Sequence, residues 1–88
     1  MSNTSVLVLE NLSIYNYETF DDKTDAIEFF TSMVKRYQRY ADDENVSKDI
    51  RNGLLKFTFY DNSNKIMSVL IFGLSKQENE ILSKHLEY

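Results

Sequence analysis

Eighty-eight residues, 42% of them hydrophobic and 14% aromatic, describe one folded domain (1–88) rather than a disordered chain. A net charge of −4 weighs against non-specific nucleic-acid binding, and the absence of cysteine removes disulfides and thiolate metal sites. The apolar run Val6–Leu9 is too short for a signal or membrane segment, so a cytoplasmic protein without membrane contact is expected.

In chain order, Ser5 to Glu10 alternates weakly and is rich in Val and Leu, which reads as a strand. Ser13 to Thr19, with Ile14, Tyr15 and Tyr17, is a second β-favouring run. No glycine lies between them to build a favoured two-residue turn, so one long strand bent by a bulge near Asn11-Leu12 is expected over a hairpin. Asp22 then suits a helix N-cap and Asp25 its first turn. Ala26, Ile27, Phe30, Met33, Val34, Tyr37, Tyr40 and Ala41 recur at three-and-four spacing and predict one buried helical stripe. Between Asp42 and Asn52, Val46 and Ile50 stand four apart, Ser47 can cap, and Asn52-Gly53 can stop a helix. A short helical segment is predicted there.

Leu54 to Tyr60, a turn at Asp61-Asn62-Ser63-Asn64 and Lys65 to Phe72 read as a hairpin, with Leu55, Phe57 and Phe59 sharing a face. Its second strand is apolar on both faces and therefore calls for cover on both sides. Ser75-Lys76-Gln77-Glu78 matches a capping box, and the helix it opens is expected to turn Ile81, Leu82, His85 and Leu86 inward. The fold class that follows is α+β, ordered β-α-(short α)-β-β-α, with helices packed on a mainly antiparallel sheet.

Three groups of residues are candidates for binding. Lys35, Arg36 and Arg39 form a basic patch that can contact phosphate, a nucleotide or nucleic acid, or can simply balance an acidic chain. Asp21 and Asp22, with Asp42, Asp43 and Glu44, lack the alternate spacing and central glycine of a calcium loop. They read either as caps and turns or as contacts to a basic groove on a partner. Tyr15, Tyr17 and Tyr60 lie on strands whose neighbours look exposed, and interfaces enrich tyrosine. His85 is the sole histidine, which excludes a conventional zinc site and leaves no Ser-His-Asp set. With only Gly53 and Gly73, no phosphate-cradling loop exists. No catalytic residue, metal or cofactor is expected.

A small, acidic, tyrosine-bearing chain of this kind reads as a non-catalytic binding protein that covers a site on a larger protein. Its bias toward Asn, Ile and Lys, without proline, resembles an AT-rich genome. By analogy of class it suggests a phage- or mobile-element-encoded inhibitor of a host nucleic-acid-handling or defence protein, anti-CRISPR-like in size and charge. A nucleotide-binding module, or sponge, using the basic patch is the alternative. A homodimer through the Lys65–Phe72 sheet region is also expected, because the doubly apolar strand and small core both gain from one.

Overall fold

A computed structural model of the chain describes residues 3–39, 41, 45–60 and 65–86. Seven elements follow one another: β1 (Thr4–Glu10), β2 (Ser13–Phe20), α1 (Lys23–Gln38), β3 (Val46–Arg51), β4 (Leu54–Tyr60), β5 (Ile66–Phe72) and α2 (Lys76–His85). The strands form a single antiparallel sheet in the order β2-β1-β5-β4-β3. This is the expected α+β class, with β5 in the middle of the sheet.

Two segments differ from the sequence reading. The first strand is a hairpin, β1–β2, turned at Asn11 (φ 51°) and Leu12 (φ 68°), both left-handed. That geometry belongs to the type I′ turn, which usually takes Asn-Gly. Here asparagine supplies the first position and is tied down. Its N–H donates to the Ile66 carbonyl at 2.7 Å, and its Oδ1 accepts from the Ile66 N–H at 3.1 Å. The bulge does exist, but inside the hairpin: the register slips between Val8 and Leu9 and leaves Tyr15 as the extra residue.

The second difference is β3, a strand where a short helix was predicted. Positions four apart share a face in a strand as well as in a helix, so Val46 and Ile50 do not distinguish the two. Asn52-Gly53, with Gly53 at φ 84°, closes the β3–β4 hairpin instead of ending a helix. At the end of β5, Gly73 (φ 97°) lies so near the N-terminal strand that a Cβ there would stand 2.7 Å from the Asn3 carbonyl oxygen.

Both helices lie on one face of the sheet. Asp22 caps α1 by accepting from the Thr24 N–H at 2.9 Å, and Ala26, Phe30, Met33, Val34 and Tyr37 are buried against the strands. Beneath them the register sets Val6, Ile71 and Leu55 in one cross-strand row and Val8, Val69 and Phe57 in the next, followed by Met67 and Phe59. The rings of Phe30 and Phe57 meet at 6.0 Å, and those of Tyr37 and Phe59 at 6.4 Å.

The capping box of α2 forms as read, with the Glu78 N–H donating to Ser75 Oγ and the Ser75 N–H to Glu78 Oε1. Its inward stripe is shifted, however. Asn79, Leu82, Ser83 and Leu86 are buried, whereas Ile81 and His85 face out. The shift follows from docking on β3: Asn79 Nδ2 donates to the Arg51 carbonyl at 3.0 Å and so turns that side of the helix inward.

Tyr37 joins the helix layer to the sheet, donating from its hydroxyl to Glu10 Oε1 at 3.1 Å. Burial, that bond and the Glu10 charge push its pKa up to about 12 from 10.0. The fold thus favours the neutral phenol, while the unfolded chain ionises near the ordinary value. The stabilisation is complete below pH 10 and is lost as the pH rises toward 12. Urea unfolding between pH 9 and 11.5 is expected to show a falling midpoint whose slope is shallower in Tyr37→Phe.

Candidate functional site

Alternation along the strands gives the sheet a second face, and no described helix or strand lies over it. The register builds it in three rows running from β2 to β3. The first is Ile14, Leu9, Ser68, Thr58 and Ser47. The second is Tyr17, Leu7, Leu70, Lys56 and Asp49. The third is Thr19, Ser5, Phe72, Leu54 and Arg51. Ile66 and Tyr60 pair at one end of the central strands.

The rows are not uniform. The third has Thr19 and Ser5 at β2 and Phe72 and Leu54 further in. Toward β2 the first two are apolar, with Ile14, Leu9, Tyr17 and Leu7 contiguous and Leu70, beside Leu7, already buried at 8% exposure. Toward β3 they become Thr58, Ser47, Lys56 and Asp49. The face carries one carboxylate, Asp49, paired with Arg51 Nε at 3.2 Å. A chain with 14 acidic residues thus keeps all its others off this surface or outside the described strands. The Tyr17 ring is held in place because its hydroxyl donates to Ser5 Oγ at 3.3 Å and accepts from Thr19 Oγ1 at 3.5 Å. These contacts, that to Ser5 foremost, draw the phenol pKa below its ordinary value.

The apolar half continues onto the edge strand. Leu12 is 78% exposed, Ile14 71%, Tyr15 56% and Tyr17 57%; among the described residues only Ile81 is another large apolar side chain more than half bare. Leu12 also occupies a left-handed backbone position that costs a residue with a Cβ roughly 1–2 kcal/mol. Strain coupled to exposure is a reason to look for a role in recognition.

The two sheet edges are built differently. β3 carries Lys48, Asp49 and Arg51 among its six residues, and the Arg51 carbonyl is already taken by Asn79. β2 carries one charge, Glu18, among eight. Charge is a usual means of blunting an edge, and here it is concentrated on β3.

Of the residues singled out from sequence, Tyr15, Tyr17 and Tyr60 are exposed on strands as expected, and Tyr17 and Tyr60 share the open face. Asp22 is occupied as a helix cap, with Asp21 exposed just before it. Asp42, Asp43 and Glu44 lie outside the described residues. The basic trio does not converge. Lys35 lines a depression of about 410 Å³ between the helices with Ile27, Glu28, Thr31, Leu82 and His85. Arg36 lies near Tyr37, which is buried and offers no stacking surface, and Arg39 is exposed beyond the helix. Sequence reasoning passed over Leu12, Ile14, Leu7 and Leu9. The available signal was the pair of alternating runs flanking Asn11-Leu12.

Among the described residues, no three His, Asp or Glu side chains converge as a metal site, and no helix is long and apolar enough to cross a membrane. No protein-family model, curated protein or solved structure matches the chain.

Replacing Leu12 by glycine would give this turn its preferred Asn-Gly pair. Leu12→Gly is expected to stabilise the fold by about 1 kcal/mol, raising the thermal midpoint by about 4 °C or more. Differential scanning calorimetry checks it; a lower midpoint would mean that the Leu12 side chain contributes more than its backbone costs.

Proposed function

We propose that this protein is a non-catalytic binding module that covers a site on a larger protein, using the apolar half of its open sheet face and the adjoining β1–β2 hairpin. The observation that carries this reading is the contiguity of Leu12, Ile14, Tyr17, Leu9 and Leu7 on a surface no described element covers. A contiguous apolar patch rimmed by polar groups is the usual mark of an association site. Tyrosine at its border suits it further, since Tyr offers rigid area with a polar tip. Small size and acidity support the narrower form of the proposal, a phage- or mobile-element-encoded inhibitor of a host protein that handles nucleic acid.

A second copy of the chain is the competing occupant, favoured by the central position of β5, whose partly exposed Phe72 belongs to the open face. Nucleotide binding draws less support, because Lys35 and Arg36 are directed to different surroundings.

The test is to place a photo-crosslinking amino acid at Tyr17 or Ile14, with Lys84 on the helix layer as control, in the cell that makes the protein. Adducts with another protein from the two sheet positions, absent from the control, are expected. Leu9→Asp should abolish them while leaving the circular dichroism spectrum unchanged. An adduct at twice the chain mass of 10.4 kDa would assign the face to a second copy. No adduct, or equal adducts from all three positions, overturns the proposal.

A further inference from the structure

The open face alone is small for a stable complex. Five strands at ~4.8 Å spacing and seven residues at ~3.3 Å give roughly 550 Å², of which the apolar half is about 300 Å². A standard interface buries about 800 Å² on each partner. A partner seated there needs further contact, and the nearest unused binding capacity is the outer edge of β2.

No described strand pairs with that edge, and beyond the bulge at Tyr15 it presents the backbone groups of a regular stretch, Asn16 to Phe20. Its side chains differ between the two layers. On the open face are Ile14 and Tyr17. On the helix side is Glu18, opposite Val6, and the strand runs directly into Asp21, Asp22 and Asp25 at the start of α1. Glu18, Asp21 and Asp25 make no ion pair among the described residues. The one cation nearby in sequence, Lys23, is drawn away to Glu78 at 3.5 Å.

Resting on the proposed function, we infer that β2 accepts an extended segment of the partner as a sixth strand, and that this segment alternates apolar with basic residues. Its apolar side chains extend the patch over Ile14 and Tyr17, and its Lys or Arg side chains meet Glu18 and the acidic end of α1. Backbone hydrogen bonds give such strand addition its affinity, and alternate side chains give it selectivity. A second copy is the poorer occupant, because two chains of net charge −4 would bring like-charged strand ends together.

The probe is a synthetic eight-residue peptide alternating Ile and Lys, titrated into the isotopically labelled protein. Amide shifts and slowed hydrogen exchange are expected along Ser13–Phe20. Methylating alternate backbone nitrogens, in two peptides covering both edges, should weaken binding by about tenfold or more for one of the two, as expected when several backbone hydrogen bonds are lost. Glu18→Lys should weaken the parent peptide severalfold, and a scrambled peptide should bind more weakly than the alternating one. Equal binding by scrambled and methylated peptides would reduce the effect to charge attraction and overturn the inference. So would shifts confined to Leu7, Leu9 and Leu70, or no binding at all; crosslinks through Tyr17 would then still support the proposed function. Protection of β2 without peptide, with a doubled mass in sedimentation, would assign the edge to a second copy and also overturn it.

Discussion

The described residues hold enough helix to roof one face of the sheet and no more. Helix α1 has 16 residues and α2 has 10, so they run about 24 Å and 15 Å. Side by side, at about 10 Å apart, two such helices cover one sheet of five strands at ~4.8 Å spacing. The order β2-β1-β5-β4-β3 puts the most apolar strand in the centre, where its two faces part company. Met67, Val69 and Ile71 enter the core, while Leu70 and Phe72 lie on the other side, Leu70 buried and Phe72 partly exposed.

An open face need not be apolar. Toward β3 it is Thr58, Ser47, Lys56 and Asp49, the composition of a sheet that ends in water. Toward β2, beside the hydroxyls of Ser5 and Thr19, the same surface becomes Leu7, Leu9, Ile14 and Tyr17. Burying a Leu or Ile side chain fully is worth roughly 1.5–3 kcal/mol, much of which a partly exposed residue forfeits. Stability within this chain therefore does not account for those residues. On the proposed function, contact with another molecule accounts for them, and Leu12, held in left-handed backbone at the tip of the same hairpin, is read the same way.

Much of this architecture was legible in the residues. The stripe of α1 from Ala26 to Tyr37, the Asp22 cap, the Ser75–Glu78 box and the β4–β5 pairing each rest on local chemistry that tertiary structure had no reason to override; of the stripe's predicted end, Ala41 lies beyond the helix and Tyr40 outside the described residues. What was illegible depended on partners distant in the chain. Asn11 adopts its turn because Ile66, 55 residues away, bonds both its backbone and its side chain. The inward face of α2 is chosen by Asn79 meeting the Arg51 carbonyl. Val46 and Ile50 satisfy helix and strand spacing alike, so pairing with β4 decides between them. The candidate surface was half legible. Tyr17 and Tyr60 stood out as tyrosines, but Leu7 and Leu9 look like core until the layer count shows that no described element is left to cover them.

The contrast between the sheet edges extends the same reasoning to specificity. An edge strand is a template for any extended chain, and an apolar one invites indiscriminate pairing. β3 meets that hazard with Lys48, Asp49 and Arg51 and with a carbonyl already bonded to Asn79. β2 meets it with a bulge at Tyr15, which interrupts regular pairing, and with Glu18 ahead of the acidic start of α1. One carboxylate on the helix side leaves Ile14 and Tyr17 bare while repelling acidic strands, those of another copy among them. In the inferred strand addition the selectivity lies in the sign of the charge beside the edge, and the affinity in backbone and apolar area, which respond little to sequence. Separating the two lets a small chain keep an adhesive edge without making it open to every strand it meets.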